Sequence, residues 1–258
     1  MISTKLPESW ETGANGVGSA IRQAALSTGM DFSYLLGQAR IESGFNPNAR
    51  ARTSSATGLF QFVDQTWLAT VKQHGAEHGL GWAAAAIERG SNGRYHVTDP
   101  AARQAIMDLR KDPAAASSMA AEFASDNRDY LERHLGRPAE AADLYLAHFL
   151  GAGGATKFLT AQAADPNTSA ASVVPAAARA NHSIFYNKNG SARTLAEVRD
   201  HFAAKLGGTP TPLPASQPSP NWALRLASLD TSGQPATSAA TAPRYARLAY
   251  MMLAELGG

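Results

Sequence analysis

Between residues 19 and 206 the apolar residues recur at helical spacing, and Gly or Pro punctuates almost every stretch. Residues 19–28 predict a first helix, closed by Gly29. Asp31 predicts the N-cap of a second helix reaching about Ser43, with Phe32, Leu35, Leu36, Ala39 and Ile41 as its apolar positions. Gly44 and Pro47 end it, and residues 46–57 read as a polar loop. Asp64 is expected to cap a helix holding Trp67, Leu68 and Val71. Further helices are expected over 80–88, 100–110 and 113–135, then from Pro138 in a first turn through Leu150. Gly151, Gly153 and Gly154 are expected to break that helix before another runs to about Ala164, and 177–185 and 195–206 complete the set. Ala is the commonest residue while Val and Ile are scarce, so packed helices are favoured over sheets and the fold class expected is all-α.

The composition divides the 258 residues into three parts. Residues 1–207 read as one helical domain. Residues 208–243 form a flexible linker rich in Pro, Ser, Thr and Ala, with too little apolar surface to offset the entropy of ordering. Residues 244–258 suggest a short amphipathic helix carrying Tyr245, Leu248, Met251, Met252 and Leu256. Such a tail could fold back on its own domain or dock on a partner. Lys and Arg number 23 against 21 Asp and Glu, with no basic stripe, so a nucleic-acid partner is not expected. The absence of Cys removes disulfides, thiolate metal sites and a Cys nucleophile. No apolar run is long enough to span a bilayer, and residues 1–10 lack the apolar core of a signal peptide.

Chemistry concentrates in Ile41-Glu42-Ser43-Gly44-Phe45-Asn46-Pro47 and, shortly after, Gly58-Leu59-Phe60-Gln61-Phe62. Glu42 falls near the C-terminus of an apolar helix. Desolvation there would raise its pKa toward the range a general acid uses, and the helix dipole would act in the same direction. The bland alternative is a solvated Glu at a helix end. Gly58 would permit a close backbone approach to a ligand, and Gln61 offers both donors and an acceptor to a sugar.

Together the two segments resemble the soluble lytic transglycosylase family, and the resemblance runs from about Ile21 to Phe202. The family's Glu-Ser pair corresponds to Glu42-Ser43, and its Gly-Leu-Met-Gln motif to Gly58-Leu59-Phe60-Gln61. Its Ala-Tyr-Asn motif falls on Ala147-His148-Phe149, so His148 and Phe149 stand where the family has Tyr and Asn. The wording of residues 144–151 is closest to phage endolysin-like and alphaproteobacterial members. The resemblance implies a lysozyme-like all-α fold acting on peptidoglycan glycan strands in the periplasm or cell wall. It implies cleavage of the MurNAc–GlcNAc bond with a 1,6-anhydro-MurNAc product, Glu42 being the single acid and base. Ser43, Gln61, Phe62 and His148 would contact Glu42 or sugar, as would a hydroxyl from Thr53, Ser54 or Ser55, with Ser54 central. Tyr186, a late-chain Tyr, would line the groove, and Tyr95 could join it. For both, an aromatic at the edge of the core is the alternative, as a satisfied core histidine is for His148.

No Asp or Glu lies between Glu42 and Asp64, which argues against the two-carboxylate arrangement of most glycosidases. A hydrolytic muramidase would have to recruit Asp64 or Glu88. A non-catalytic adaptor, docking on an envelope machine through the tail, is the rival from another class. No cofactor or metal is implied. His74 and His78 form the one tempting ligand pair, but Gly75 and Gly79 beside them argue against a rigid ligand helix, and the pair reads as structural.

Overall fold

The computed structural model describes residues 16–52 and 54–207. The linker and amphipathic helix expected over 208–258, the N-terminal residues 1–15 and Thr53 lie outside the described residues. Within them the chain is helical: α1 (Val17–Thr28), α2 (Phe32–Ser43), α3 (Asp64–His74), α4 (Gly81–Ala86), α5 (Pro100–Asp108), α6 (Pro113–Leu135), α7 (Ala141–Ala164), α8 (Ala170–Val173), α9 (Pro175–Ala180), α10 (His182–Phe185) and α11 (Leu195–Leu206). One two-residue antiparallel ladder pairs β1 (Glu88–Arg89) with β2 (Tyr95–His96).

The long helix α6 is the axis of the fold, with α1, α2, α3 and α7 packed on it. Its start and stop are encoded locally. The Asp112 side chain accepts from Ala115 N–H, Pro113 sits in the first turn, and Gly136 closes the helix in the left-handed region. Its buried face is mostly Ala, including Ala116, Ala120, Ala121 and Ala124, so neighbouring helices come close. Larger side chains fill the space around that axis. Ile21, Leu35, Leu59, Trp67, Ile106 and Phe158 are almost fully buried, each contributing about 1.5–3 kcal/mol of burial.

Several boundaries differ from the sequence reading. Val63 is the N-cap of α3 and Asp64 its first residue, because the Asp64 carboxylate is taken by Arg110 at 2.9 Å and Arg103 at 3.1 Å. Pro138 lies before α7, which begins after Glu140. There Glu140 and Asp143 form a reciprocal capping box. Gly151 alone departs from helical backbone inside α7 (φ 74°, ψ 157°), which kinks the helix, while Gly153 and Gly154 stay helical. The helix expected over 80–88 stops at Ala86, and Glu88 enters the ladder instead. The helix expected over 177–185 is two short helices, α9 and α10.

Candidate active site

Glu42 sits in the last turn of α2. Asp31 caps the start of that helix by accepting from Tyr34 N–H at 2.7 Å. Gly44 and Phe45 end it in successive left-handed conformations, φ 60° and 66°. Their N–H groups reach the Arg40 and Ala39 carbonyls at 3.0 and 3.4 Å. The chain therefore turns away immediately after Glu42-Ser43. The carboxylate is left at a helix end facing α7, with 18 % of its side chain exposed.

Two groups one turn apart on α7 meet the same carboxylate oxygen. Tyr145 Oη donates to Glu42 Oε1 at 2.9 Å, and His148 Nε2 lies 3.3 Å from it. One turn before Glu42, Gln38 places its amide nitrogen 3.2 Å from His148 Nδ1. The Gln38 contact at Nδ1 orients the ring so that Nε2 faces Glu42. Gln38 Oε1 is buried with no partner among the described residues, at a cost of about 1–3 kcal/mol.

These contacts reverse the pKa expected from the sequence. Burial pushes the Glu42 carboxyl up. The His148 hydrogen bond and charge, the Tyr145 hydrogen bond and the Lys205 charge together outweigh it, so Glu42 lies below the ordinary carboxylate value. Burial and the neighbouring negative charge of Glu42 push the phenols of Tyr145 and Tyr34 well up, so both stay protonated. Tyr145 is thus a fixed donor. It is also the residue the sequence reading missed, since a Tyr on an apolar helix reads as core. Its spacing of one turn from His148 was the available signal.

The other singled-out residues occupy varied places. Ser43 Oγ donates to Leu59 O at 2.8 Å and Ala39 O at 3.1 Å, fastening the end of α2 to the Gly58–Gln61 turn. Gln61 has φ 49°, and its amide nitrogen donates to Gly58 O at 2.8 Å and Ala49 O at 3.2 Å. The close approach that Gly58 permits is to protein: a Cβ there would lie 1.9 Å from the Arg110 carbonyl oxygen. Phe62 is core, edge-on to Trp67 at 5.2 Å and to Phe123 at 6.3 Å. Ser54 Oγ accepts from Ala56 N–H at 3.3 Å and shapes the loop.

Tyr95 lies in β2 with its backbone bonded on both sides to the Gln65 amide. Tyr186 stacks on His182 at 4.3 Å. Phe149, where the family has an amide, packs against Phe202 and Phe185. The described contacts therefore bring Glu42 and His148 together and add Tyr145 and Gln38, while the contacts described for Tyr95 and Tyr186 do not include Glu42. Among the described residues no helix is long and apolar enough to cross a membrane.

One comparison bears on this arrangement. A family model described as the transglycosylase SLT domain matches residues 19–147, half of the 258-residue chain. The match begins in α1, takes in Glu42 and the Gly58–Gln61 turn, and ends one residue before His148.

Proposed function

The chain belongs to the SLT transglycosylase family, enzymes that cleave glycosidic bonds of peptidoglycan, and from that premise we propose that Glu42 alone serves as acid and base in a lytic cleavage of the MurNAc–GlcNAc bond. The observation that carries this reading is the single carboxylate held by Tyr145 and His148. The other candidate carboxylates are engaged elsewhere. Asp64 is held by Arg110 and Arg103, and Glu88 stands in the exposed ladder, 3.7 Å from His96.

In the proposed reaction the protonated Glu42 gives its proton to the glycosidic oxygen, and the bond from that oxygen to C1 of MurNAc breaks. The carbonyl oxygen of the substrate's 2-acetamido group closes on C1. The Glu42 carboxylate then removes the C6 hydroxyl proton, O6 bonds C1, and the bond from the acetamido oxygen to C1 breaks. A 1,6-anhydro-MurNAc end forms, no water is consumed, and Glu42 regains its proton. Between the two halves Glu42 is an anion beside a cationic sugar. Tyr145 and His148, both directed at Oε1, stabilise that anion and leave Oε2 for the substrate. Gln61 Oε1 and the hydroxyls near Ser54 are the proposed sugar contacts on the facing loop. The site of action on this reading is the periplasm or cell wall.

Mass spectrometry of muropeptides released from purified peptidoglycan tests the proposal, with wild type and Glu42→Gln in parallel. Products lighter by one water than reducing muropeptides, absent with the variant, are expected. Reducing products would replace the lytic reading with a hydrolytic one. Binding to the sacculus without products from either protein would favour an adaptor.

A further inference from the structure

The histidine pair at the end of α3 is spent on carboxylates of α6, His74 on Asp126 at 2.9 Å and His78 on Glu122 at 2.7 Å. Another buried cation has a less local reach. Arg110 stands in the 3-10 turn Leu109–Lys111 between α5 and α6, with 9 % of its side chain exposed. Its Nη1 donates to Ser55 O at 2.9 Å, to Phe62 O at 3.0 Å and to Asp64 Oδ1 at 2.9 Å. Its Nε donates to Met107 O at 3.1 Å. Ser55 precedes the Gly58-Leu59-Phe60-Gln61 motif, and Phe62 follows it directly. One nitrogen therefore closes both ends of the loop that displays the motif. The Arg110 carbonyl meets the same loop at Gly58.

A guanidinium is costly to bury unless it is paired and its protons are satisfied. Here Asp64 supplies the opposite charge, and three backbone carbonyls take protons. The loop also has backbone pairs of its own, Thr57 N–H to Phe62 O at 3.2 Å and Ala51 N–H to Ala56 O at 3.0 Å. Those pairs shape the loop but do not place it. Arg110 ties it to the turn before α6, and Ser43 ties it to α2 through Leu59 O. Ser43 is the chain neighbour of Glu42, so the loop is held between the proposed acid and a buried cation.

We propose that Arg110 is a positioning residue for the substrate: by closing the 55–62 loop and fixing it in place, it sets where Gln61 Oε1 meets the glycan strand that Glu42 cleaves. This rests on reading Gln61 as a sugar contact, and it is independent of whether the bond is cut lytically or by water. The planar fork of Arg reaches loop, helix and Met107 from separate nitrogens, which the single ammonium of Lys cannot do.

The test is Arg110→Lys in the full chain, measured well below the melting temperature of each protein. On purified peptidoglycan KM is expected to rise about 5–10-fold, the loss of one hydrogen bond to sugar, with kcat within about twofold of wild type. The alkaline limb of the pH profile should stay in place, because Tyr145 and His148 keep their contacts with Glu42. Co-sedimentation with sacculi, in a Glu42→Gln background that cannot cut them, should show the same loss of affinity. In a Gln61→Ala background that loss should shrink to below about twofold, since Arg110 acts through Gln61. A merely structural role would lower the melting temperature and leave the two substitutions additive. If Arg110→Lys does not fold, Asp64→Asn, which takes the counter-charge from Arg110, replaces it in the same cycle. Unchanged affinity in the folded variant, or additivity with Gln61→Ala, would overturn the proposal. Reducing products from wild type would end the lytic reading and leave this one standing.

Discussion

Glu42 must surrender a proton and recover one within a single turnover, and its immediate neighbours set how readily it does each. Donors on Oε1 make it a stronger acid, and they also empty it of its proton at lower pH. The proposed reaction starts from protonated Glu42, so the rate falls as pH rises through its lowered pKa. His148→Leu removes the hydrogen bond and the charge that most oppose burial, so the Glu42 pKa rises. The alkaline limb of the pH profile of kcat/KM should then move to higher pH, while the plateau rate drops with the weaker acid. Sacculus-clearing rates across a pH series check both. A limb that stays in place would show that His148 does not set the titration of Glu42. The identity of Glu42 was legible because a Glu-Ser pair stood before a Gly-Leu-Phe-Gln run. The direction of its pKa was not, because periodicity shows burial but not a donor 103 residues further along the chain. Gln61 and Ser43 read as contacts to Glu42 or sugar from the motifs in which they stand. Only the backbone shows that Ser43 is spent on Leu59 O, and the Gln61 amide nitrogen on the loop carbonyls.

The turn containing Gly58 shows why some elements carry more constraint than their length suggests. Gly58 has φ +87° and lies against the backbone of Arg110, with no room for a side chain. Backbone strain of this kind costs about 1–3 kcal/mol, and the clash adds to it. Gly58→Ala is therefore expected to lower stability by about 3 kcal/mol and to shift the turn that Ser43 fastens to α2, losing activity along with melting temperature. Thermal melts paired with activity assays measure both. The elements with explicit punctuation were readable in advance. Helix α6 has Asp112-Pro113 and Gly136 at its ends, and α11 has Thr194, Glu197 and Gly207. Elements whose ends depend on remote partners were misread. Asp64 looked like a cap until Arg103 and Arg110 took its carboxylate, whereas the break expected at the glycines of α7 is present and is made by Gly151.

Across the whole molecule, the last described helix, α11, is locked to the start of α7 by Asp143, which is fully buried. It accepts from Arg137 Nη1 at 2.7 Å, from Arg199 Nε of α11 at 3.0 Å and from Glu140 N–H at 3.1 Å. Removing one member of a buried ion pair costs about 3–5 kcal/mol. Asp143→Ala should fall at the low end, about 3 kcal/mol, since Arg199 keeps Glu140 at 2.6 Å and the Arg137 side chain reaches solvent. Denaturant unfolding of the variant measures it. The contact between Glu42 and Tyr145 has a temporal meaning as well. It joins residues 103 apart, with α3 to α6 between them. A ribosome therefore finishes the segment bearing the carboxylate long before the helix that equips it. A nascent or clipped chain ending before α7 holds Glu42 without either donor, so competence to cut cell wall arrives together with tertiary closure and not before it.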